Sequence, residues 1–283
     1  MDRSTFHIID HLCRPGNPHH PCEDLLRLDE SYLLLMDGAS PLAPSIMTPS
    51  DASWFVWQVD RLLASSLTRH ASLSSILADG MASIRPLWRG STSVMPSAGI
   101  AVVRLNQDRL DYLQLGDVTL SIERTDGTFM LIKDEALCRL DAMALAELQA
   151  HAARSGNSPR ECLPLIQETL KRNRALRNTP EGYSILDPSG KGLTHAITGS
   201  LPVADVQSIL LFSDGFGQLQ EFTKESLPDL YKRVKEQGLS PLLDELYQFQ
   251  DQDTSFHRVA RFKHRDDASA TIASVALTPT KTP

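Results

Sequence analysis

Apolar residues occur in short runs along this chain, and four of the runs border an aspartate. The runs are residues 31–36 before Asp37, residues 112–115 before Gly116-Asp117, residues 208–212 before Ser213-Asp214, and residues 268–277 after Asp266-Asp267. Short apolar runs bounded by turn residues predict buried strands. A carboxylate at the end of such a strand is held by the sheet and can face a cleft, so these aspartates are the first candidates for chemistry.

Helical spacing of apolar residues marks a second set of segments. The predicted helices cover residues 50–67, 73–88, 137–154, 224–237 and 241–250, with one more starting at Ser158. The predicted strands cover residues 100–105, 110–122 and 128–132, with a further strand at Tyr183. Strands joined by short turns, as at Asp126-Gly127, pair in antiparallel fashion. This argues against a dinucleotide-binding arrangement of parallel strands.

The length and composition fit one large domain or two small ones. The chain has 283 residues, 41% of them hydrophobic, and no linker rich in Pro, Gly or Ser divides it. We therefore predict a single domain over residues 1–283 with its core in residues 20–277. The first 20 or so residues and residues 278–283 are predicted to be loose, flexible ends.

Charge and cysteine usage exclude several classes of protein. A formal net charge of −7 argues against nucleic acid as a main partner, and the basic residues within 171–177 are predicted to form a solvated helix face. The cysteines at positions 13, 22, 138 and 162 form no CxxC pair and no zinc-ligand spacing. The sequence opens without a signal peptide and contains no apolar stretch near the ~20 residues that span a bilayer. These features predict a reduced, soluble, cytoplasmic protein that does not enter a membrane.

Aspartates that converge at strand ends suggest a metal site. Carboxylates brought together repel one another unless a cation neutralises them, and clusters of oxygen ligands suit Mg²⁺ or Mn²⁺. The alternative is that each Asp-Gly pair is ordinary turn chemistry. A single pair would favour the turn, whereas Asp37-Gly38 and Asp214-Gly215 together with Asp117 and Asp266 favour a carboxylate site.

At these residues the chain resembles the metal-dependent protein phosphatases of the protein phosphatase 2C type. Members of that family show a Glu-Asp pair, a strand with Asp-Gly, a strand with Gly-Asp, a strand with Ser-Asp-Gly, and an Asp-Asn or Asp-Asp pair before a last strand. The corresponding residues here are Glu23-Asp24, Asp37-Gly38, Gly116-Asp117, Ser213-Asp214-Gly215 and Asp266-Asp267, in the same order. The resemblance covers about residues 20 to 277.

The resemblance implies both a fold and an activity. The fold is an α+β four-layer α-β-β-α sandwich, in which two antiparallel sheets are stacked between helices, with residues 134–180 as a helical, flap-like insertion. The activity is that of a Mg²⁺- or Mn²⁺-dependent serine/threonine protein phosphatase, a phosphoric monoester hydrolase that uses a water activated by two metals. A phosphoserine or phosphothreonine protein is then the expected partner, and a cognate kinase would act on the same substrate. The oligomeric state is left open.

The resemblance also assigns roles to the residues of the candidate site. Asp37, Asp214 and Asp266 would be the catalytic metal ligands, with Asp37 bridging two ions and the Gly38 carbonyl completing one sphere. Three residues, Glu23, Asp24 and Asp267, would orient metal-bound water from behind the ligands. Asp117 matches the family's ligand for a weaker third metal.

Three departures from the family pattern bear on activity. The usual phosphate-binding Arg before the Glu-Asp pair is replaced by His19, with His20 beside it. These two histidines are candidates for phosphate binding, and the alternative is a solvated loop pair. Ala39 stands where a general acid would follow Asp-Gly, and Gln218 stands where an Asp often supports the third metal.

Two other functions stay open beside the protein phosphatase. The missing Arg and the missing acid favour a catalytically weak pseudophosphatase that binds phosphoproteins or scaffolds a signalling complex, whereas the retained carboxylates count against it. A third possibility is hydrolysis of a small phosphorylated metabolite at the same metal centre.

Overall fold

Two antiparallel five-stranded sheets form the centre of the molecule in the computed structural model, which describes residues 3–67 and 71–278. The strands are β1 (Arg3–Arg14), β2 (Leu25–Leu28), β3 (Tyr32–Gly38), β4 (Ala98–Asn106), β5 (Arg109–Leu115), β6 (Thr119–Arg124), β7 (Phe129–Ile132), β8 (Ile197–Pro202), β9 (Val206–Phe212) and β10 (Ala268–Thr278). The α-helices are α1 (Asp51–Leu63), α2 (Leu73–Ile84), α3 (Ala136–Ser155), α4 (Pro159–Cys162), α5 (Gln167–Ala175), α6 (Asp214–Thr223), α7 (Leu227–Gln237) and α8 (Leu239–Gln252). One sheet has the strand order β1-β10-β9-β6-β7, and the other has the order β2-β3-β4-β5-β8.

The two sheets pack face to face, and central strands such as β3 carry apolar residues on both sides. In β3, Leu33 and Leu35 point into the core between the sheets, while Leu34 and Met36 point outward toward the helices. All four side chains are fully buried. Successive side chains of a strand face opposite sides, so an unbroken apolar run is the pattern of a strand covered on both faces.

Helices cover the outer faces of both sheets and complete four layers. Apolar residues of α1 and α2 pack on the outer face of the β2-β3-β4-β5-β8 sheet. Those of α6, α7 and α8 pack on the outer face of the other sheet, against residues of β9 and β10. The predicted α+β sandwich of helix, sheet, sheet and helix is therefore confirmed.

The N-terminal segment is more ordered than the sequence predicts. Residues 3–14 form the edge strand β1 instead of a loose end, and β1 pairs with β10 from Arg3 opposite Thr278 to Arg14 opposite Ala268. A shift in register separates Ile8 from Asp10. The prediction of a loose N-terminus was wrong for these residues because backbone pairing and a few buried side chains order the strand. The C-terminal residues 279–283 lie outside the described part of the chain.

Two further predictions about elements are corrected. The strand predicted over residues 110–122 is interrupted at Gly116-Asp117, where Gly116 has a φ of +87°, and its parts join different sheets as β5 and β6. Tyr183 does not lie in a strand but makes an isolated bridge with Arg177. Between β7 and β8 lie α3, α4 and α5. A small buried cluster joins Leu148 and Ala152 of α3, Cys162 of α4 and Ile166 directly before α5, and Leu170 of α5 packs against it. No helix within residues 3–67 and 71–278 has the length and apolar character to cross a bilayer.

Candidate functional site

Four of the aspartates predicted from the sequence line one cavity of about 340 Å³, which lies where strand ends of the two sheets come together. Asp37 is the next-to-last residue of β3, and Asp117 lies two residues after β5. Asp214 begins α6 two residues after the end of β9, and Asp266 lies two residues before β10. Each aspartate is thus positioned by a strand end, and the stacking of the two sheets brings together residues that are far apart in sequence.

Asp37 has a carboxylate oxygen that is completely shielded from solvent. Its Oδ2 atom is buried and has no hydrogen-bond partner. Burial, together with the charges of Asp24, Asp214, Asp117 and Asp266, raises the pKa of Asp37 well above its ordinary value. A buried carboxylate oxygen without a partner is costly, and a bound cation would relieve that cost.

Gly38 lets the chain pass very close to the Glu23 backbone. Its N–H donates to the Glu23 carbonyl at 3.1 Å, and a Cβ at this position would lie 2.4 Å from the same oxygen. Gly99, which pairs with Asp37 across β3 and β4, has a similar function, since a Cβ there would lie 2.5 Å from Asp117 Oδ1. At position 38 the close neighbour is backbone, so only glycine fits there, whereas a side chain at position 99 would displace the Asp117 carboxylate. Asp117 therefore lies against β4, next to the strand of Asp37.

Asp214 and Asp266 line the same cavity. Desolvation and the charge of Asp266 raise the pKa of Asp214, although its side chain is accessible from the cleft and water there weakens the effect. Asp266 is engaged differently, because its Oδ1 accepts a hydrogen bond of 2.7 Å from Lys263 Nζ. Lys263 Nζ also donates to Ser40 Oγ at 3.0 Å. Desolvation lowers the pKa of Lys263, but the neighbouring carboxylates outweigh this effect and the net shift is upward.

Asp117 is joined by Asp141, a residue that the sequence motifs do not reveal. Burial and the charge of Asp214 raise the pKa of Asp117 to about 7. Burial and the same neighbour raise the pKa of Asp141 to about 6. Asp141 lies on α3 and lines the same cavity. Gln218 is directed elsewhere, since its Oε1 accepts a hydrogen bond of 3.0 Å from Gln250 on α8.

Glu23, Asp24 and Asp267 hold the loops behind the cavity. The Asp267 carboxylate accepts the backbone N–H of Gly16 at 2.8 Å and of Glu23 at 2.5 Å. Glu23 accepts hydrogen bonds from the hydroxyls of Ser40 and Ser50. Asp24 is buried with an unpartnered Oδ2, and burial together with the charge of Asp267 raises its pKa.

The carboxylates of the cavity are not arranged around a single position that a metal ion could occupy. In the part of the chain that the structure describes, no group of three or more His, Cys, Asp or Glu side chains is already arranged to hold a metal ion. One carboxylate of the cluster, that of Asp266, is paired with the ammonium group of Lys263. A cation that bound Asp266 would have to displace that ammonium group.

Arg174 of α5 reaches the cavity, and Arg177, two residues after the end of α5, is largely buried in an ion pair. Arg174 Nη1 donates to the Ser40 carbonyl at 3.2 Å, and its side chain lines the cavity with the aspartates. Arg177 lies 3.4 Å from Asp187 in an ion pair that is 10% and 5% exposed at its two side chains. The predicted solvated helix face therefore holds for Lys171 and Arg172, which are exposed, but is wrong for Arg174 and Arg177.

His19 and His20 lie on the exposed loop that follows β1. His20 lines a neighbouring cavity of about 420 Å³ together with Lys263, Asp266 and Ser40. The backbone N–H of His19 donates to Asn17 Oδ1 at 3.0 Å. Phosphate binding by either histidine stays a prediction.

Comparison with solved structures identifies the fold. No protein-family model and no curated protein sequence matches the chain. The serine/threonine phosphatase PstP/Ppp of Mycobacterium tuberculosis superposes with a TM-score of 0.54 at 13% identity, over 97% of this chain and 99% of that one. The chain has the protein phosphatase 2C fold. PppA of Pseudomonas aeruginosa gives a TM-score of 0.53 at 16% identity, over 97% of this chain and 100% of that one.

A bacterial serine phosphatase shares the same phosphatase fold, with a TM-score of 0.57, 12% identity, and coverage of 97% of this chain and 100% of that one. The fold-level resemblance predicted from the five motifs is thus confirmed over nearly the whole chain. At these identities the comparison establishes the phosphatase fold alone, and the activity has to be argued from the residues of the cavity.

Proposed function

We propose that this protein is a metal-dependent phosphatase that hydrolyses phosphoserine or phosphothreonine in proteins. The observation that carries the proposal is the buried, unpartnered Oδ2 of Asp37, whose carboxyl has a raised pKa and lines a cavity with Asp214 and Asp266. Burying several carboxylates together costs free energy, and a divalent cation bound between them would lower that cost. The positive charge of such cations is what phosphoryl transfer needs to stabilise its transition state.

The donor set of the cavity fits Mn²⁺ or Mg²⁺. All of the candidate ligands offer oxygen, and hard divalent cations prefer oxygen ligands. Asp37, the Gly38 carbonyl, Asp214 and Asp266 would hold two ions, and support comes from the PstP catalytic domain, which was solved in complex with two manganese ions. A third, weaker ion would use Asp117. The second carboxylate near Asp117 is that of Asp141, whereas the amide of Gln218 is hydrogen-bonded to Gln250.

Bound cations would polarise the phosphoryl oxygens and lower the pKa of the attacking water. The chain's own residues would bind and orient the phosphate. Arg174 and Lys263 come from different elements and both donate to Ser40, one to its carbonyl and one to its hydroxyl. Both side chains line the cavity, so they are the nearest replacement for the family's missing Arg. His20, in the adjoining cavity, is a second candidate.

The remaining expectations for partners and location follow from the same proposal. A phosphoprotein substrate implies a cognate kinase, and PppA is described as a key regulatory component of a secretion system, which supports a signalling role. The net charge of −7 argues against nucleic acid, and we place the protein in the cytoplasm.

Turnover of p-nitrophenyl phosphate with and without Mn²⁺ tests the proposal, and a panel of phosphopeptides and small phosphorylated metabolites then separates the substrate classes. We expect manganese-dependent hydrolysis that Asp37→Asn abolishes. Asp108→Asn is the matched control, because Asp108 is exposed at the turn between β4 and β5, at the far end of β4 from Gly99. Equal turnover by Asp37→Asn and the unchanged protein would exclude the proposed centre.

A second candidate function is phosphoprotein binding without hydrolysis. The ion pair between Lys263 and Asp266 favours it, because this ammonium group competes with a metal for a candidate ligand. A protein of this kind would bind a phosphopeptide in a titration yet release no phosphate at saturating Mn²⁺. Preference for a metabolite over every phosphopeptide would instead favour the third function.

A further inference from the structure

Two of the four cysteines lie side by side at the edge of the molecule. Cys13 Sγ and Cys22 Sγ are 3.7 Å apart, although nine positions separate the residues in sequence. Cys13, near the end of β1, is exposed, and Cys22, directly before Glu23, is half-buried. The other two cysteines are not part of this pair, and Cys162 is buried beside Ser155.

The segment between the two cysteines is held at both ends by one residue. Asp267 accepts the backbone N–H of Gly16, shortly after Cys13, and of Glu23, directly after Cys22. Gly16 also lies tightly against the Asp266 backbone, because a Cβ there would approach the Asp266 carbonyl carbon to 2.6 Å. The thiols are therefore brought together by the fold and do not meet by chance contact of mobile side chains.

The two thiols differ in accessibility and in acidity. Hydrogen bonding from Cys22 lowers the pKa of Cys13 to about 7, against the effect of burial, while the same interaction raises the pKa of Cys22. A thiolate is the nucleophile in exchange with a disulfide, and attack is fastest when its pKa lies near the ambient pH. Cys13 therefore has the properties of an attacking thiol, and Cys22 those of a resolving thiol.

We propose that Cys13 and Cys22 form a reversible redox site that exchanges with small-molecule disulfides of the glutathione type. The Cys13 thiolate attacks one sulfur of the disulfide, which forms a mixed disulfide and releases one small thiol. Cys22 then loses its proton and attacks the Cys13 sulfur, which forms the Cys13–Cys22 bond and releases the second small thiol. The protein loses two electrons, and the small disulfide gains them as two thiols.

The geometry permits this bond with a small movement. The sulfurs must approach from 3.7 Å to about 2.05 Å, the length of a disulfide bond. Closure would tie the end of β1 to the residue before Glu23 and enclose the loop that carries His19 and His20. The redox site stands on these contacts and is independent of the proposed phosphatase activity.

Intact mass and peptide mapping test the proposal on the full chain. The protein is equilibrated with mixtures of reduced and oxidised glutathione, remaining thiols are alkylated, and a non-reducing digest is analysed. We expect a species lighter by two hydrogen atoms, with residues 13 and 22 in one cross-linked peptide, which returns to the reduced form when reduced glutathione is in excess. A double variant, Cys138→Ser with Cys162→Ser, keeps the pair and is expected to behave in the same way.

The single variants distinguish the two roles. Cys22→Ser is expected to accumulate the glutathione adduct on Cys13, because the resolving thiol is gone. Cys13→Ser is expected to react more slowly, since Cys22 is less accessible than Cys13. Three outcomes would overturn the proposal: no reaction in excess oxidised glutathione, stable adducts on both cysteines of the unchanged protein, or a cross-link that involves Cys138 or Cys162.

Discussion

The ammonium nitrogen of Lys263 lies 2.7 Å from Asp266 Oδ1, so the protein places a cation of its own on a carboxylate that the sequence motifs assign to a metal. The same nitrogen contacts Ser40, two residues after Gly38. Lys263 thereby neutralises part of the acidic cluster, and we expect it to compete with a metal ion for Asp266.

Replacing Lys263 by Met should therefore tighten metal binding. Exposed or partly exposed ion pairs contribute about 0.2–1 kcal/mol, which corresponds to an increase in Mn²⁺ affinity of up to about five-fold. Calorimetric titration with Mn²⁺ measures the change. Lys232→Met, on the exposed side of α7, is the control and should leave the affinity unaltered. Weaker binding by Lys263→Met would mean that Lys263 supports the metal site and does not compete with it.

Asp117 makes the stability of the metal-free protein depend on pH. Its pKa is raised to about 7 in the folded state, compared with about 3.9 for an unperturbed aspartate. Between these values the folded state holds a proton that the unfolded state has released, so this group's contribution to stability falls as pH rises from about 4 to about 7. Asp117→Asn should remove the fall and raise stability at pH 8 by roughly 1–2 kcal/mol, less than the full shift implies because the side chain is partly accessible.

Urea unfolding in EDTA at a series of pH values measures this effect as the difference between Asp117→Asn and the unchanged protein. The control is Asp108→Asn, at an exposed turn, which should run parallel to the unchanged protein. A variant that loses stability at pH 8 would show that the Asp117 carboxylate is stabilising when charged.

The strands that the sequence predicts are those in which the apolar or polar character of each side chain matches its burial. Residues 32–36 of β3 and residues 209–212 of β9 are unbroken apolar runs, as expected where both faces of a strand are covered. Asp37 and Asp214 lie where these runs end. β1 is less visible in the sequence, since it is an edge strand in which, among the described side chains, Phe6 and Leu12 are the large apolar ones that are buried. Pairing with β10 orders it, and pairing between distant segments leaves no local pattern.

The residues of the site that sequence reasoning missed share one property. Asp141, Arg174 and Lys263 belong to segments in which charged residues are frequent, and a charged residue on a helix or loop usually faces solvent. Their position in the cavity follows from how α3, α5 and the segment before β10 pack around the strand ends. The sequence could have indicated Asp141 and Arg174 in one way only, as charged residues on the same helix face as the apolar residues of α3 or α5.

The close packing of α6 against the chain before β10 should make Gly215 sensitive to substitution. A Cβ at Gly215 would lie 1.9 Å from the Asp267 carbonyl oxygen, whereas one at Gly217 would lie 3.3 Å from the Phe212 ring. Both glycines are in α6. Gly215→Ala is expected to cost about 2–4 kcal/mol because backbone must move. Gly217→Ala, in which helix propensity offsets a mild contact, should stay within about 1 kcal/mol.

Thermal and denaturant unfolding of the two Ala variants measure the difference. Since Asp267 also fixes the loop that holds Glu23, Gly215→Ala is expected to weaken Mn²⁺ binding as well. Equal stability of the two variants would mean that α6 can shift relative to Asp267 at little cost.

Arg174 offers the sharpest test of how phosphate is held in the absence of the family's Arg. Its guanidinium lies at the Ser40 carbonyl and lines the cavity of the aspartates, whereas Arg172, two residues earlier on α5, is exposed. Arg174→Gln should raise KM for p-nitrophenyl phosphate about ten-fold, with a smaller effect on kcat, because a charged hydrogen bond to phosphate is lost. Inhibition by inorganic phosphate should weaken to the same extent, and Arg172→Gln should leave both quantities unchanged.

A double variant, His19→Ala with His20→Ala, separates the two candidate sources of phosphate binding. The histidines lie on the loop after β1, and His20 reaches only the neighbouring cavity, so we expect a smaller increase in KM than in Arg174→Gln. If the double variant shows the larger increase and Arg174→Gln behaves like Arg172→Gln, the phosphate is held from the β1 side and Arg174 only anchors the Ser40 loop. The ratio of the two KM values therefore decides which side of the cavity receives the substrate, whatever the absolute rate of hydrolysis.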